Sequence, residues 1–201
     1  MRVLLSAFAC HPGRGSEPGV GWELARQVAA RHQVCVMTDS RNRDGIEAIL
    51  REEPEPNIEF EYVQVPRAVA EAPGLRRLHY IYYLAWQIRA LAVARRRHRV
   101  DPFDLVHHVT YVNSWTPSFM GSLGIPFVWN AGPRDKTPPQ LLGAMSLRSA
   151  SSEVVRNVVL GLLGGVTSLT TGRTASLILS GSQLDEWPAS LPVRRFPMGG
   201  L

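Results

Sequence analysis

Lysine is almost missing from this 201-residue chain: Lys136 is the only one, so the 22 residues counted as Lys and Arg are nearly all arginine. A coding bias toward arginine accounts for such a skew without any function, although the planar guanidinium fork does suit phosphates and carboxylates. Cysteine is equally scarce. Cys10 and Cys35 are the only two, and a chain of this length needs no stapling, which excludes a disulfide scaffold. Their strand-like apolar surroundings suggest buried thiols in a reducing compartment. Long hydrophobic runs are lacking too. The nearest approach, Leu78 to Ala94, is interrupted by His79, Gln87 and Arg89 and is too short and polar to span a bilayer. The opening Met1-Arg2-Val3-Leu4-Leu5 belongs to an apolar run that ends at His11 without a cleavage-like segment, so it does not read as a signal peptide. These absences lead to the expectation of a cytoplasmic protein, soluble or attached to a membrane surface.

With 45% hydrophobic and 19% charged residues and a net charge of +5, the composition is that of an ordinary globular chain with one sizeable core. The order of elements is informative. Strand-length apolar or alternating runs occur at Val3–Ala9, Gln33–Thr38, Asn57–Val65, Phe103–Thr110 and Pro126–Trp129, with two more at Leu177–Ser180 and Val193–Phe196. Between them lie helical patterns at Val20–Arg31 and Asp44–Arg51, a long one at about Leu75–Arg97, one started by Pro117, and others from Pro138 to Val159 and after Ser182. Such alternation predicts an α/β fold, a Rossmann-like parallel sheet with helices on both faces. Ligands of these sheets bind beyond the carboxyl ends of the strands. The loops after the first, fourth and fifth strands are therefore the candidates for chemistry.

The first of these runs from Cys10 to Trp22 and holds Gly13, Gly15, Gly19 and Gly21. It leads into a helix N-terminus, where free N–H groups and the macrodipole favour an anion. Ser16 or Glu17 is placed to cap that helix, and Pro18 suits its first turn. A capped strand-to-helix turn is the plain alternative. No Gly-Lys-Ser/Thr phosphate loop is present, and the dinucleotide fingerprint fails at Pro18 or at Leu24, depending on which glycine begins it. Asp39, at the end of the second strand, still mimics the ribose-binding acid of that fold.

The second loop carries His107, His108, Thr110, Tyr111, Asn113 and Ser114. A histidine there can orient a hydroxyl or act as an acid or base near neutral pH. Neighbouring residues of a strand point to opposite faces, so one of the pair is expected to be a packed, hydrogen-bonded histidine; His108 is slightly favoured for the open side. The third loop offers Asn130, Gly132, Arg134 and Lys136, the two cations being either phosphate contacts or solvated loop charges. In the long helix, Leu78, Ile81, Ala85, Ile88 and Ala92 form one stripe, with Tyr80, Tyr83 and Trp86 elsewhere and Arg95-Arg96-Arg97 near the end. This reads either as a core helix or as a basic amphipathic element for a membrane surface.

The run GRGSEPGVGW after the first strand resembles the opening of the retaining, family-four glycosyltransferases. The likeness continues in order through Asp104-Leu105-Val106-His107-His108-Val109-Thr110, Gly124-Ile125-Pro126-Phe127-Val128-Trp129, Leu179-Ser180-Gly181-Ser182 and the closing FPMGGL. It implies that residues 1–201 form the N-terminal, acceptor-side half of a GT-B fold, with the C-terminal donor-binding domain absent. It further implies transfer of a sugar, with retention, from a nucleotide-sugar donor to a glycan or lipid-linked acceptor. Neither a metal, another cofactor nor a nucleic-acid partner is expected; a peripheral membrane contact is the alternative to a core role for the long basic helix. From their place at the end of the fourth strand, His108 and His107 are the candidate catalytic residues. Gly13, Gly15, Ser16, Glu17, Gly19, Thr110, Asn130 and Arg134 are the candidate substrate-binding ones. Many family members place a histidine or a Gly-Pro-x-Gly-Gly run in the third loop, and this chain has neither. The family's paired glutamates belong to the second domain; the same spacing at Glu47/Glu55 and Glu53/Glu61 lies in an acidic run leading into a strand and is read as chance. The chain is therefore expected to be inactive alone. The alternatives are a non-catalytic fragment or subunit completed by a partner, and a dinucleotide-binding Rossmann enzyme.

Overall fold

The computed structural model describes residues 1–70, 79–111, 118–131, 139–155, 157–158, 175–179 and 193–195. Runs such as Val3-Leu4-Leu5 and Val34-Cys35-Val36-Met37 are buried on both sides of the strand, which only a sheet covered on both faces allows. The strands are β1 (Arg2–Ser6), β2 (Gln33–Asp39), β3 (Ile58–Val63), β4 (Leu105–His108), β5 (Phe127–Ala131), β6 (Ala175–Leu179) and β7 (Val193–Arg195). They form one sheet in the order β3-β2-β1-β4-β5-β6-β7, every pairing parallel. The expected Rossmann-like α/β architecture is thus observed.

On one face, Val3, Leu5, Val34 and Val36 pack with Trp22, Ala25 and Ala29 of α1 (Glu17–Ala29) and Ile46 of α2 (Arg43–Glu52). The other face presents Leu4, Cys35, Met37 and Val106 to the long helix that follows the short α3 (Arg67–Ala70). In that helix, α4 (His79–Val100), Tyr83, Trp86, Gln87, Ala90 and Ala94 are buried, while Ile81 and Ile88 of the aliphatic stripe stand 42% and 61% exposed; Leu78 lies outside the described residues. Both stripes have helical spacing, and the aromatic one wins because each ring buries far more apolar area than an isoleucine. Phe8, from the loop after β1, sets its ring edge-on to Tyr83 and Trp86 at 5.1 Å. Ala90 and Ala94 then let the second half of the helix lie close to the sheet. Gln87 interrupts the apolar run for a reason: its Oε1 accepts from the Phe119 N–H at 3.0 Å. This tethers the 3-10 helix Phe119–Leu123, in the region where a helix started by Pro117 was expected; Pro117 itself lies outside the described residues.

Beyond β5 the described helical segments are α5 (Pro139–Leu142) and residues 147–155, with 157–158. The helix expected after Ser182 and the closing FPMGGL lie outside the described residues. No described helix is long and apolar enough to cross a membrane.

Candidate functional site at the carboxyl edge of β1 and β4

From β1 the chain winds outward through β2 to β3, then crosses back to β4 on the other side of β1. The direction of winding therefore reverses between β1 and β4, and in open α/β sheets the crevice at that point is where ligands bind. Its walls here are the Gly-rich loop after β1 and the loop after β4. The two are laced together. Ala9 N–H donates to Thr110 Oγ1 at 3.1 Å, and Tyr111 N–H donates to the Glu17 carboxylate.

The four glycines divide into two kinds. A Cβ on Gly19 would run into the Arg14 carbonyl oxygen, and one on Gly21 into the Ala9 carbonyl oxygen, with Thr110 Cγ2 at 3.2 Å. These two glycines allow the first turn of α1 to press against its own loop and against the loop after β4. Gly13 and Gly15 meet nothing of the sort: both are exposed with open space where a Cβ would be, and Gly13 has φ of 70°. Between the pairs sits Ser16, in the N-cap position of α1 without a side-chain cap, at φ 61°. Among the described residues the only other non-glycine with positive φ is Tyr111, at 65°. Both strained residues thus flank the Glu17–Tyr111 hydrogen bond, and such strain persists only where surrounding contacts hold it.

Glu17 changes the electrostatics expected of this loop. The end of a helix that would attract an anion already carries a carboxylate of its own in the first turn, which complements the dipole. Beyond it stands an aromatic wall. The Tyr111 ring stacks on Tyr83 with centroids 3.9 Å apart, and Tyr80 and Phe8 stand in T-shaped contact with it at 6.0 and 5.7 Å. Burial, then the neighbouring Tyr80 and Glu17, pushes the Tyr111 phenol up to about 12, so it stays a neutral donor and acceptor at physiological pH. Carboxylate oxygens that accept from hydroxyls and exposed glycine backbone together suit a neutral, polyhydroxylated ligand.

The histidine pair is resolved by strand parity. Leu5 pairs with His107 and Ser6 with His108, which sends His108 to the α4 side. The slight preference for His108 on the open side is therefore corrected: its ring is 1% exposed, held between the Tyr83 hydroxyl on Nε2 at 3.0 Å and Ser6 Oγ on Nδ1 at 3.1 Å. Burial lowers its pKa to about 3, which removes it as an acid or base near neutral pH. His107 is half-buried on the opposite face. Thr110 is fully buried and joins the loops. Asn130 lies in β5 beside Ile178. Arg134, Lys136, Asn113 and Ser114 lie outside the described residues.

At the end of β2, Asp39 is also committed. Its Oδ1 accepts from the backbone N–H and Nε of Arg41 at 2.9 and 2.7 Å, and Arg41 lies over the Tyr82 ring at 4.2 Å. Cys10 and Cys35 are buried free thiols whose pKa values burial raises to about 12 and about 11. Among the described residues no group of three or more His, Cys, Asp or Glu is placed to hold a metal ion. Tyr111 was legible only as a member of its loop, since nothing in the sequence marks a tyrosine for positive φ. Compared with known proteins, the chain matches no family model, and no curated protein matches it at a significant level.

Proposed function

We propose that this chain is the acceptor-side, Rossmann-like half of a retaining GT-B glycosyltransferase, acting with a donor-binding domain or partner chain that grips the nucleotide sugar. The observation that carries this reading is Glu17 at the β1/β4 crevice. Where a dinucleotide fold would cradle a pyrophosphate, this chain places a carboxylate, which repels phosphate and accepts from hydroxyls. The half-buried Tyr111, its ring stacked on Tyr83, stands beside that carboxylate. The motif order resembling retaining glycosyltransferases supports a glycan or lipid-linked acceptor, and the reaction is then cytoplasmic, with neither a metal nor another cofactor. Stabilisation of the leaving diphosphate comes mainly from the donor side, so the chain alone transfers no sugar.

A dinucleotide enzyme is the second reading, favoured by the strand order and by Asp39 at the end of β2. Against it, Arg41 already engages both Asp39 oxygens, the second at 3.3 Å. Backbone NMR of the chain titrated with a glycan library and with NAD(H) separates the two. Glycans should move the amides of Gly13 to Glu17 and of Thr110 and Tyr111, whereas NAD(H) should leave them in place. Saturable shifts with NAD(H) at this crevice, or sugar transfer by the lone chain from labelled nucleotide sugars, would overturn the proposal.

A further inference from the structure

An open groove of about 440 Å³ lies at the carboxyl end of β3, lined by Gln64, Val65, Pro66, Arg67 and Arg89. Its two arginines come from different helices, α3 and α4. Five other arginines find carboxylates or rings: Arg2 pairs with Asp101, Arg26 with Glu55, Arg41 with Asp39 and Arg97 with Glu59, while Arg43 lies over Tyr62. Among the described residues neither Arg67 nor Arg89 has such a partner, and the described lining contains no carboxylate. Two guanidinium groups on one groove repel each other unless an anion stands between them.

We propose that this groove binds a phosphate group between Arg67 and Arg89. Each guanidinium presents a planar fork of N–H donors that matches two phosphate oxygens. Gln64 adds an amide donor at the rim, and the volume lies within the ordinary range for a small-ligand site, about 300–1,000 Å³. The place is also apt. Strands lie about 4.8 Å apart, so the end of β3 is roughly 10 Å along the sheet from the end of β1, on the same rim as the crevice. Anion binding on this rim thus moves away from the α1 N-terminus, which Glu17 occupies, to the groove at the end of β3, whose described lining holds two cations and no acid. The inference does not depend on sugar transfer and holds for a free phosphate monoester or for the phosphate of a lipid headgroup.

The test is calorimetric titration of the 201-residue chain with inorganic phosphate and with glycerol phosphate, beside Arg67→Gln, Arg89→Gln and the double variant. Both side chains are exposed, so folding should survive, and circular dichroism checks that it does. Saturable binding at low ionic strength is expected, weakened about fivefold by each substitution, as a roughly 1 kcal/mol exposed charge contact implies. It should fade with added salt and be displaced poorly by acetate. Co-sedimentation with phosphatidic acid vesicles, set against phosphatidylcholine vesicles, identifies the source. Capture that the double variant loses marks a lipid headgroup, and its absence beside retained phosphate binding marks a soluble ligand. No saturable phosphate binding, or binding unchanged in the double variant, would overturn the assignment.

Discussion

The Glu17 carboxylate, in the first turn of α1, accepts a hydrogen bond from the backbone N–H of Tyr111, in the loop after β4. That one bond joins the two walls of the switch-point crevice and holds Tyr111 at positive φ. Glu17→Ala leaves a part-buried N–H without its acceptor and should lower stability by about 1–3 kcal/mol. Glu17→Gln keeps an acceptor oxygen and should lose far less. Urea unfolding midpoints at constant slope measure the difference; equal midpoints for all three chains would show that the bond contributes nothing.

His108 makes stability depend on pH. Its pKa is lowered from 6.5 to about 3 in the folded chain, so between those values the unfolded chain holds a proton that the folded one lacks. Its contribution is therefore complete above about pH 6.5 and is lost as pH falls, by up to about 1.4 kcal/mol per pH unit. His108→Gln, which keeps polar atoms near Tyr83 and Ser6, should flatten the profile between pH 6 and 4. The readout is the wild-type minus variant slope in urea unfolding, and parallel profiles would refute the assignment.

Substituting the glycines should separate packing from ligand contact. Gly19→Ala and Gly21→Ala force a Cβ against backbone carbonyl oxygens and should cost about 1–3 kcal/mol each. Gly15→Ala, with open space around it, should leave the thermal midpoint nearly unchanged and affect only ligand binding at the crevice. A large loss of stability from Gly15→Ala would contradict the described loop.

The aromatic inner face of α4 gives the plainest contrast. Trp86 is fully buried and Ile88 is exposed, so Trp86→Ala should cost about 3–5 kcal/mol and Ile88→Ser no more than about 0.5 kcal/mol. The opposite ranking by chemical denaturation would make the aliphatic stripe the inner one.

Much of the scaffold was legible in the sequence because it follows from local periodicity. Doubly apolar runs such as Val34-Cys35-Val36-Met37 require a sheet covered on both faces, and their alternation with helices requires parallel pairing. The Gly-rich loop, too, announced a close strand-to-helix turn. What periodicity leaves open is phase. That His107 and His108 face opposite ways follows from the two-residue repeat, but which one is enclosed depends on the pairing of Ser6 with His108 beneath Tyr83. Likewise two stripes of α4 have helical spacing, and only the presence of Phe8 and the sheet beneath chose the aromatic one. The partnership of Glu17 with Tyr111, 94 residues apart, and the meeting of Arg67 with Arg89 on one groove come from chain segments with no local relation. Tertiary structure alone decided them, because burial and hydrogen-bond satisfaction are settled between elements rather than within them.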